Sequence, residues 1–283
     1  AATGTLSISG TVQEGGTLNA VTTGLSDVDG SLTFAHKWQS SSNNATFADI
    51  SGATAINYTI PSDQSMVDKH IRLEVVSTDA RNGTTTHTSA SQQVANVDDA
   101  ATGTLSISGT VQEGGTLSAV TSGLSDVDGS LSFAHKWQSS SNNVTFADIS
   151  GATAINYTIP SDQSMVDKHI RLEVVSTDAR NGTTTHTSAS QQVANVDDAA
   201  TGTLSISGTV QEGGTLNAVT TGLSDVDGSL TFAHKWQSSS NNATFADISG
   251  ATAINYTIPS DQSMVDKHIR LEVVSTDARN GTT

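Results

Sequence analysis

The side chains able to do chemistry in this chain are carboxylates, and they stand at fixed places. Glu14 precedes Gly15-Gly16, Asp27-Val28-Asp29-Gly30 forms one motif, Asp63 and Asp68 flank another stretch, Asp79 opens Asp79-Ala80-Arg81-Asn82-Gly83, and Asp98-Asp99 follows Asn96-Val97. Most of these residues fall among Gly, Asn and Ser, the composition of turns, where acidic oxygens are free to converge. Six to eight oxygen donors suit a hard cation, and Ca2+ is the ion this composition favours. An Asp-x-Asp-Gly turn alone says little, and it lacks the later Glu of a helix-loop-helix calcium loop.

The acidic pattern belongs to a larger repeat. Ala1–Asp99 recurs as 100–198 and again from Ala199 to Thr283, a period of 99 residues. Copies one and two differ only at Asn19/Ser118, Thr23/Ser122, Thr33/Ser132 and Ala45/Val144, and copy three reverts to copy one at all four positions. A period near 100 residues is the size of a small domain. The expected domains are therefore 1–99, 100–198 and 199–283, the third lacking the counterpart of the last 14 residues, as in a piece of a longer array. Active sites are usually unique within a chain, whereas units that supply length or multivalency can be copied freely. The repeat argues against an enzyme.

Composition narrows the partners. A net charge of −16, from 28 acidic and 12 basic residues, disfavours nucleic acid and anionic membrane. No apolar run approaches the roughly 20 residues that span a bilayer, so no direct membrane contact is expected of this stretch, and any export signal or anchor is expected outside it. Cysteine is absent, so metal is the obvious substitute for disulfides in stabilising small cores.

Period-two alternation between apolar residues and Thr or Ser, broken by Gly, Asn and Asp, reads as strands and turns. In copy one the strands are expected near Thr5–Ser9, Thr17–Thr23, Leu32–Gln39, Thr46–Ile50, Ile56–Ile60, His70–Ser77 and Thr84–Val94. Leu32, Phe34, His36 and Trp38 share one face of the third, and Ile56, Tyr58 and Ile60 point inward on the fifth. Seven strands with a Trp on the third predict an all-β fold: tandem immunoglobulin-like β-sandwich domains. An odd number of strands places the termini at opposite ends, so the domains join end to end in an extended rod, about 120 Å for three units at about 3.3 Å per strand residue plus loops.

Tracing the chain up and down this sandwich puts Glu14 and the Asp63–Asp68 stretch at the trailing end of a domain, beside the linker. The Asp-Val-Asp-Gly and Thr-Asp-Ala-Arg turns come out at the leading end. The first junction should therefore gather Glu14, Asp63, Asp68, Asn96, Asp98, Asp99, Asp126, Asp128 and Asp178. The second repeats it as Glu113, Asp162, Asp167, Asn195, Asp197, Asp198, Asp225, Asp227 and Asp277. Eight carboxylates at each junction would repel strongly without cations.

In order, Glu14, the linker Asn96–Asp99, and Asp126 with Asp128 resemble the calcium-sharing positions of cadherins. The whole 99-residue repeat is similar to the immunoglobulin-like or cadherin-like extender domains of giant bacterial RTX adhesins exported by type I secretion. The matching stretches are Leu25–Gly30, Lys37–Ser42 with Ile50–Thr54, Tyr58–Pro61, and the linker Asn96–Ala100. Departures are Asp98 in place of Asn, Ala101 in place of Pro, His36 where Tyr is frequent, and Asp68 where Gly is common. The resemblance implies an extracellular protein of the bacterial cell surface, acting in adhesion or biofilm formation.

His36, His70 and His87 have no metal-ligand spacing, and the Thr84–Ser89 ladder is what exposed strands ordinarily favour. The leading expectation is a non-catalytic extender: a monomeric rod, stiffened by Ca2+, whose partners are neighbouring repeats of the same chain. It would project a distal ligand-binding module. The rival expectations are a multivalent binding module for polysaccharide or protein, and a self-assembling extracellular filament.

Overall fold

The computed structural model describes all residues, Ala1–Thr283. The structure contains strands and turns and no helix, with every strand pairing antiparallel. It comprises three tandem copies of one antiparallel β pattern. By spatial contact the chain divides into two compact units. Unit one holds Ala1–Leu105, Thr121–Ala134 and Val174–His186, and unit two holds Ser106–Val120, His135–Glu173 and Thr187–Thr283. Copy two thus contributes residues to both.

Copy one lies within unit one and shows the complete domain. Its strands are β1 (Thr3–Gly4), β2 (Ser7–Gly10), β3 (Thr17–Val21), β4 (Leu25–Ser26), β5 (Thr33–Ser41), β6 (Ala48–Asp49), β7 (Asn57–Thr59), β8 (His70–Thr78), β9 (Thr84–Thr88) and β10 (Gln92–Gln93). One layer is β2-β3-β7 with the small β1-β4 pair, and the other is β6-β5-β8, with β9 and β10 sharing the far edge of β8. The β5-β8 ladder is the longest in the domain, running from Thr33↔Thr78 to Ser41↔His70.

Alternation on β5 and β8 is what closes the core. Ile71, Leu73 and Val75 are fully buried while the residues between them are half-buried, and Trp38 is inaccessible at the centre. Leu6, Leu18 and Leu25 of the other layer pack against these residues, together with Ile60, Met66 and Val94. Burying such side chains contributes about 1.5–3 kcal/mol each, which offsets the entropy of ordering a small domain. The Trp38 indole donates to the Ala55 carbonyl at 3.0 Å, so its buried N–H is satisfied, and its ring stacks on Tyr58 at 5.9 Å.

Several expected elements differ. The first strand divides into β1 and β2. The second stops at Val21 and resumes as β4. The last divides at Ser89, whose backbone N–H donates to the Leu73 carbonyl while its hydroxyl accepts from the Leu73 N–H. Ile56, expected inward, is 55% exposed, although its carbonyl accepts the Ala20 N–H at 2.8 Å. Phe47 lies under the Arg72 guanidinium, 4.0 Å from its ring centre. In unit two, copy three merges the early segments into longer strands, Thr201–Gly208 and Thr215–Ser224.

Candidate metal centre

Two sets of carboxylates meet within unit one where copy one passes into copy two. Oxygens of Glu14, Asp99 and Asp128 lie within 4.8 Å of one another, and so do those of Asp98, Asp128 and Asp178. Asp128 belongs to both sets and its side chain is wholly buried.

Backbone geometry aims these groups. Glu14 sits in the turn before Gly15, which a parallel bridge at Gln13↔Ala95 pins against the end of the domain. Its Oε1 accepts the Val97 N–H at 2.6 Å, which draws the linker over it. The Asp99 N–H then donates to Asp128 Oδ2 at 2.9 Å, and the Asp128 N–H donates to Asp126 Oδ1 at 2.7 Å. Asp178 Oδ1 accepts the backbone N–H groups of Arg180 and Gly182, which holds its turn closed.

Two partners of these carboxylates, a neutral amide and a guanidinium, carry no signal in the sequence alone. The Gln64 amide nitrogen donates to Asp128 Oδ1 at 2.7 Å, Asn96 Oδ1 at 2.9 Å and Glu14 Oε2 at 3.3 Å. The Arg180 guanidinium pairs with Asp68 at 2.8 Å and reaches to 3.9 Å from Asp128. Composition does not mark an amide in a polar loop, and the Thr-Asp-Ala-Arg turn does not show which carboxylate its Arg will meet, so only the folded contacts reveal these pairings.

The expected residues therefore divide. Glu14, Asp98, Asp99, Asp128 and Asp178 converge, with Asn96 and Asp126 bonded alongside. Asp63 does not join them: its Oδ1 accepts the Ser65 N–H at 2.9 Å in an exposed turn, and the Ser65 hydroxyl and N–H hold its carboxyl below the usual range. Asp68 is committed to Arg180, in a left-handed conformation at φ 64.

Unit two contains the same arrangement. Glu113, Asp198 and Asp227 form one set, and Asp197, Asp227 and Asp277 the other. Gln163 donates to Asp227, Asn195 and Glu113, and Asp225 accepts the Asp227 N–H at 2.8 Å. Arg279 pairs with Asp167 at 2.9 Å, and Asp162 closes the turn to Ser164. At the start of copy one, Asp27, Asp29 and Asp79 form a further set, with the N-terminal amine 3.4 Å from Asp27.

Electrostatics and shape both fit a cation. Burial, followed by the charges of Asp178, Asp128 and Asp126, pushes the Asp98 carboxyl above its usual range, and Asp197 is raised in the same way. A hard divalent ion would remove that repulsion, and every donor in the sets is oxygen. Gly182 and Gly281 leave open the space into which Asp98 and Asp197 reach, space a Cβ would fill.

Three near-identical all-β copies with acidic clusters at the linkers define a tandem-repeat β-sandwich protein. The chain belongs to the family described as Domain of unknown function (DUF8696), which matches residues 2–96, 101–195 and 200–279. No curated protein matches the chain. Among solved structures it is similar to a Ca2+-stabilised adhesin that helps an Antarctic bacterium reach out and bind ice, at 13% identity and a TM-score of 0.34, over 100% of this chain and 72% of that one. It is also similar to three N-terminal domains of the bacteriophage RB49 Highly Immunogenic Outer Capsid protein, at 14% identity and a TM-score of 0.28, over 99% and 95% of the two chains. The chicken CNTN1 FN1–FN3 domains match at 12% identity and a TM-score of 0.26, over 99% and 94%. No helix is long and apolar enough to cross a membrane.

Proposed function

We propose that this chain is a non-catalytic spacer of a bacterial surface adhesin, in which Ca2+ bound at each linker couples one copy to the next. The observation that carries the reading is the sharing of Asp128 between two carboxylate sets whose other members come from copy one, the linker and copy two. Glu14 and Asp99 with Asp128 would hold one ion, and Asp98 and Asp178 with Asp128 a second. When bound, such ions supply charge neutralisation and cross-linking rather than reaction chemistry. Glu14 and Gln64 draw the linker onto the domain, Asp126 orients Asp128, and Arg180 draws the next copy toward Asp68.

Near-identity of the copies supports selection for length, and the absence of cysteine supports metal as the stabiliser of an extracellular array. The proposed partners are neighbouring copies of the same chain, and the proposed form in solution is a monomeric rod. Small-angle scattering and melting curves, each with Ca2+ and with chelator, test the reading. Calcium should give a particle about 120 Å long and a higher Tm. Indifference of both shape and melting to calcium would sink it.

A further inference from the structure

Charge is unevenly spread along each copy. Residues 1–13 and 83–95 contain no Asp, Glu, Lys or Arg, in a chain with 28 acidic and 12 basic residues. Folding brings these two stretches to one side of copy one. There β2 pairs only with β3, and β9 and β10 pair only with β8, so each is a free edge of its layer. Free edges are ordinarily guarded by charged side chains, and these are not.

Between the two edges lies a cleft of about 350 Å³. Leu6 and Ile8 supply apolar walls, and Ser7, Thr88, Gln92 and His87 supply polar groups. Hydrogen bonds shut both ends. At the leading end the Ala2 N–H donates to Thr85 Oγ1 at 3.1 Å. At the trailing end the Ala95 N–H donates to the Val12 carbonyl at 3.0 Å, and the Ala95 carbonyl accepts the Glu14 N–H at 3.1 Å. No strand pairing joins the two edges between these ties. An added β-strand would have to run on along the edge and is stopped at both ends, so the cleft suits a compact ligand.

The lining selects the chemistry of that ligand. A cation would find no carboxylate in the cleft and an anion no Lys or Arg, and desolvating either without a counter-charge is costly. Ser77 Oγ donates to the Thr85 carbonyl at 3.2 Å, so the 3.1 Å bond between Ser77 Oγ and His87 Nε2 runs from the ring to the hydroxyl. The neutral ring then keeps Nδ1 as an acceptor. Hydroxyl, amide and imidazole groups beside apolar walls fit a molecule with hydroxyls on its rim and C–H groups on its faces. The volume falls at the lower end of the range usual for small-molecule sites, about 300–1,000 Å³.

We propose that this cleft is a binding site for a neutral saccharide, in which His87 Nδ1 accepts a hydroxyl proton and Leu6 and Ile8 underlie a ring face. None of its lining residues belongs to the carboxylate sets, so the site is separate from the proposed calcium positions.

The test titrates the 283-residue chain with maltose, cellobiose and diacetylchitobiose, followed by NMR. Saturable shifts with at least one of them are expected, with Kd of about millimolar because one shallow cleft offers few contacts. The sequence repeats His87 and Ala90 as His186 and Ala189, so variants change both copies. Ala90 is an exposed residue at the cleft, and Ala90→Arg with Ala189→Arg should abolish the shifts while leaving Tm unchanged. His87→Phe with His186→Phe keeps the bulk of the ring but removes the acceptor, and should weaken binding about tenfold. Glucuronate, an anionic sugar, should give no saturable shift. No saturable shift with any of the three disaccharides, unchanged affinity in either double variant, or binding of glucuronate as tight as that of the neutral sugars overturns the proposal.

Discussion

The Asp98 carboxylate occupies the space beside Gly182 that a Cβ on that glycine would need, although the two residues are 84 positions apart in the chain. Asp178 lines the other side of the same space. A residue with no side chain is therefore part of the acidic centre, and Gly281 stands in the same relation to Asp197 and Asp277.

Gly182→Ala should push Asp98 out of its set while leaving the β-sandwich folded. The expected result is a calcium affinity reduced by about tenfold or more, equivalent to about 1.4 kcal/mol per decade, by titration calorimetry. Gly151→Ala is the control, since nothing lies within 4 Å of its Cβ position and only the cost of its positive φ remains.

Asp128→Asn should cost more calcium-dependent stability than any other single carboxylate change at the first junction, because both sets lose a ligand. With ligand at about a hundred times Kd, each bound ion contributes about 2.7 kcal/mol, so chelation should lower Tm visibly in the wild type and less in the variant. Asp63→Asn, which alters only the exposed turn to Ser65, should keep the wild-type calcium response.

Asp68→Gly sets two effects against each other. Glycine relieves a left-handed conformation that costs other residues about 1–2 kcal/mol, and the solvent-screened ion pair to Arg180 offers little in return. Thermal stability in chelator should therefore be unchanged or higher. Arg180, released from Asp68, should show greater side-chain mobility in NMR relaxation, and unaltered mobility would discount the pair as a contact between copies.

Acid should act through Asp49 and Asp148. The Gln39 amide, at 2.8 Å, and then Lys37 hold the Asp49 carboxyl below 3.8, and Gln138 and Lys136 do the same for Asp148. A depressed folded pKa means that the unfolded chain takes up protons first. The stability these groups contribute is present above 3.8 and lost as pH falls through their folded values. In melting curves from about pH 6 to pH 2, an Asp49→Asn, Asp148→Asn variant should show a shallower acid decline than the wild type. Parallel declines would contradict the assignment.

The sequence made some of these residues legible and hid others for identifiable reasons. Leu32, Phe34 and His36 alternate with the exposed Ser31, Thr33, Ala35 and Lys37, and Trp38 continues the period although Gln39 beyond it is also buried; period two needs no tertiary information. Ile56 broke the same rule: its carbonyl accepts the Ala20 N–H at 2.8 Å, yet its side chain is 55% exposed, and apolar character alone does not reveal which ladder positions the other layer covers. Glu14, Asp98, Asp99, Asp128 and Asp178 could be placed together from chain direction and turn composition. Gln64, Arg180 and Gly182 could not, since a donor amide, a counter-charge and an empty Cβ position acquire meaning only once distant turns meet.

Asp128 lies in the copy that follows Glu14, so each acidic centre at a linker is assembled from two successive copies and belongs to neither. Inserting or deleting one whole period therefore adds or removes one complete centre and leaves the others intact. Unequal recombination between near-identical copies would change the number of such centres in steps of one, without any new joint having to be invented.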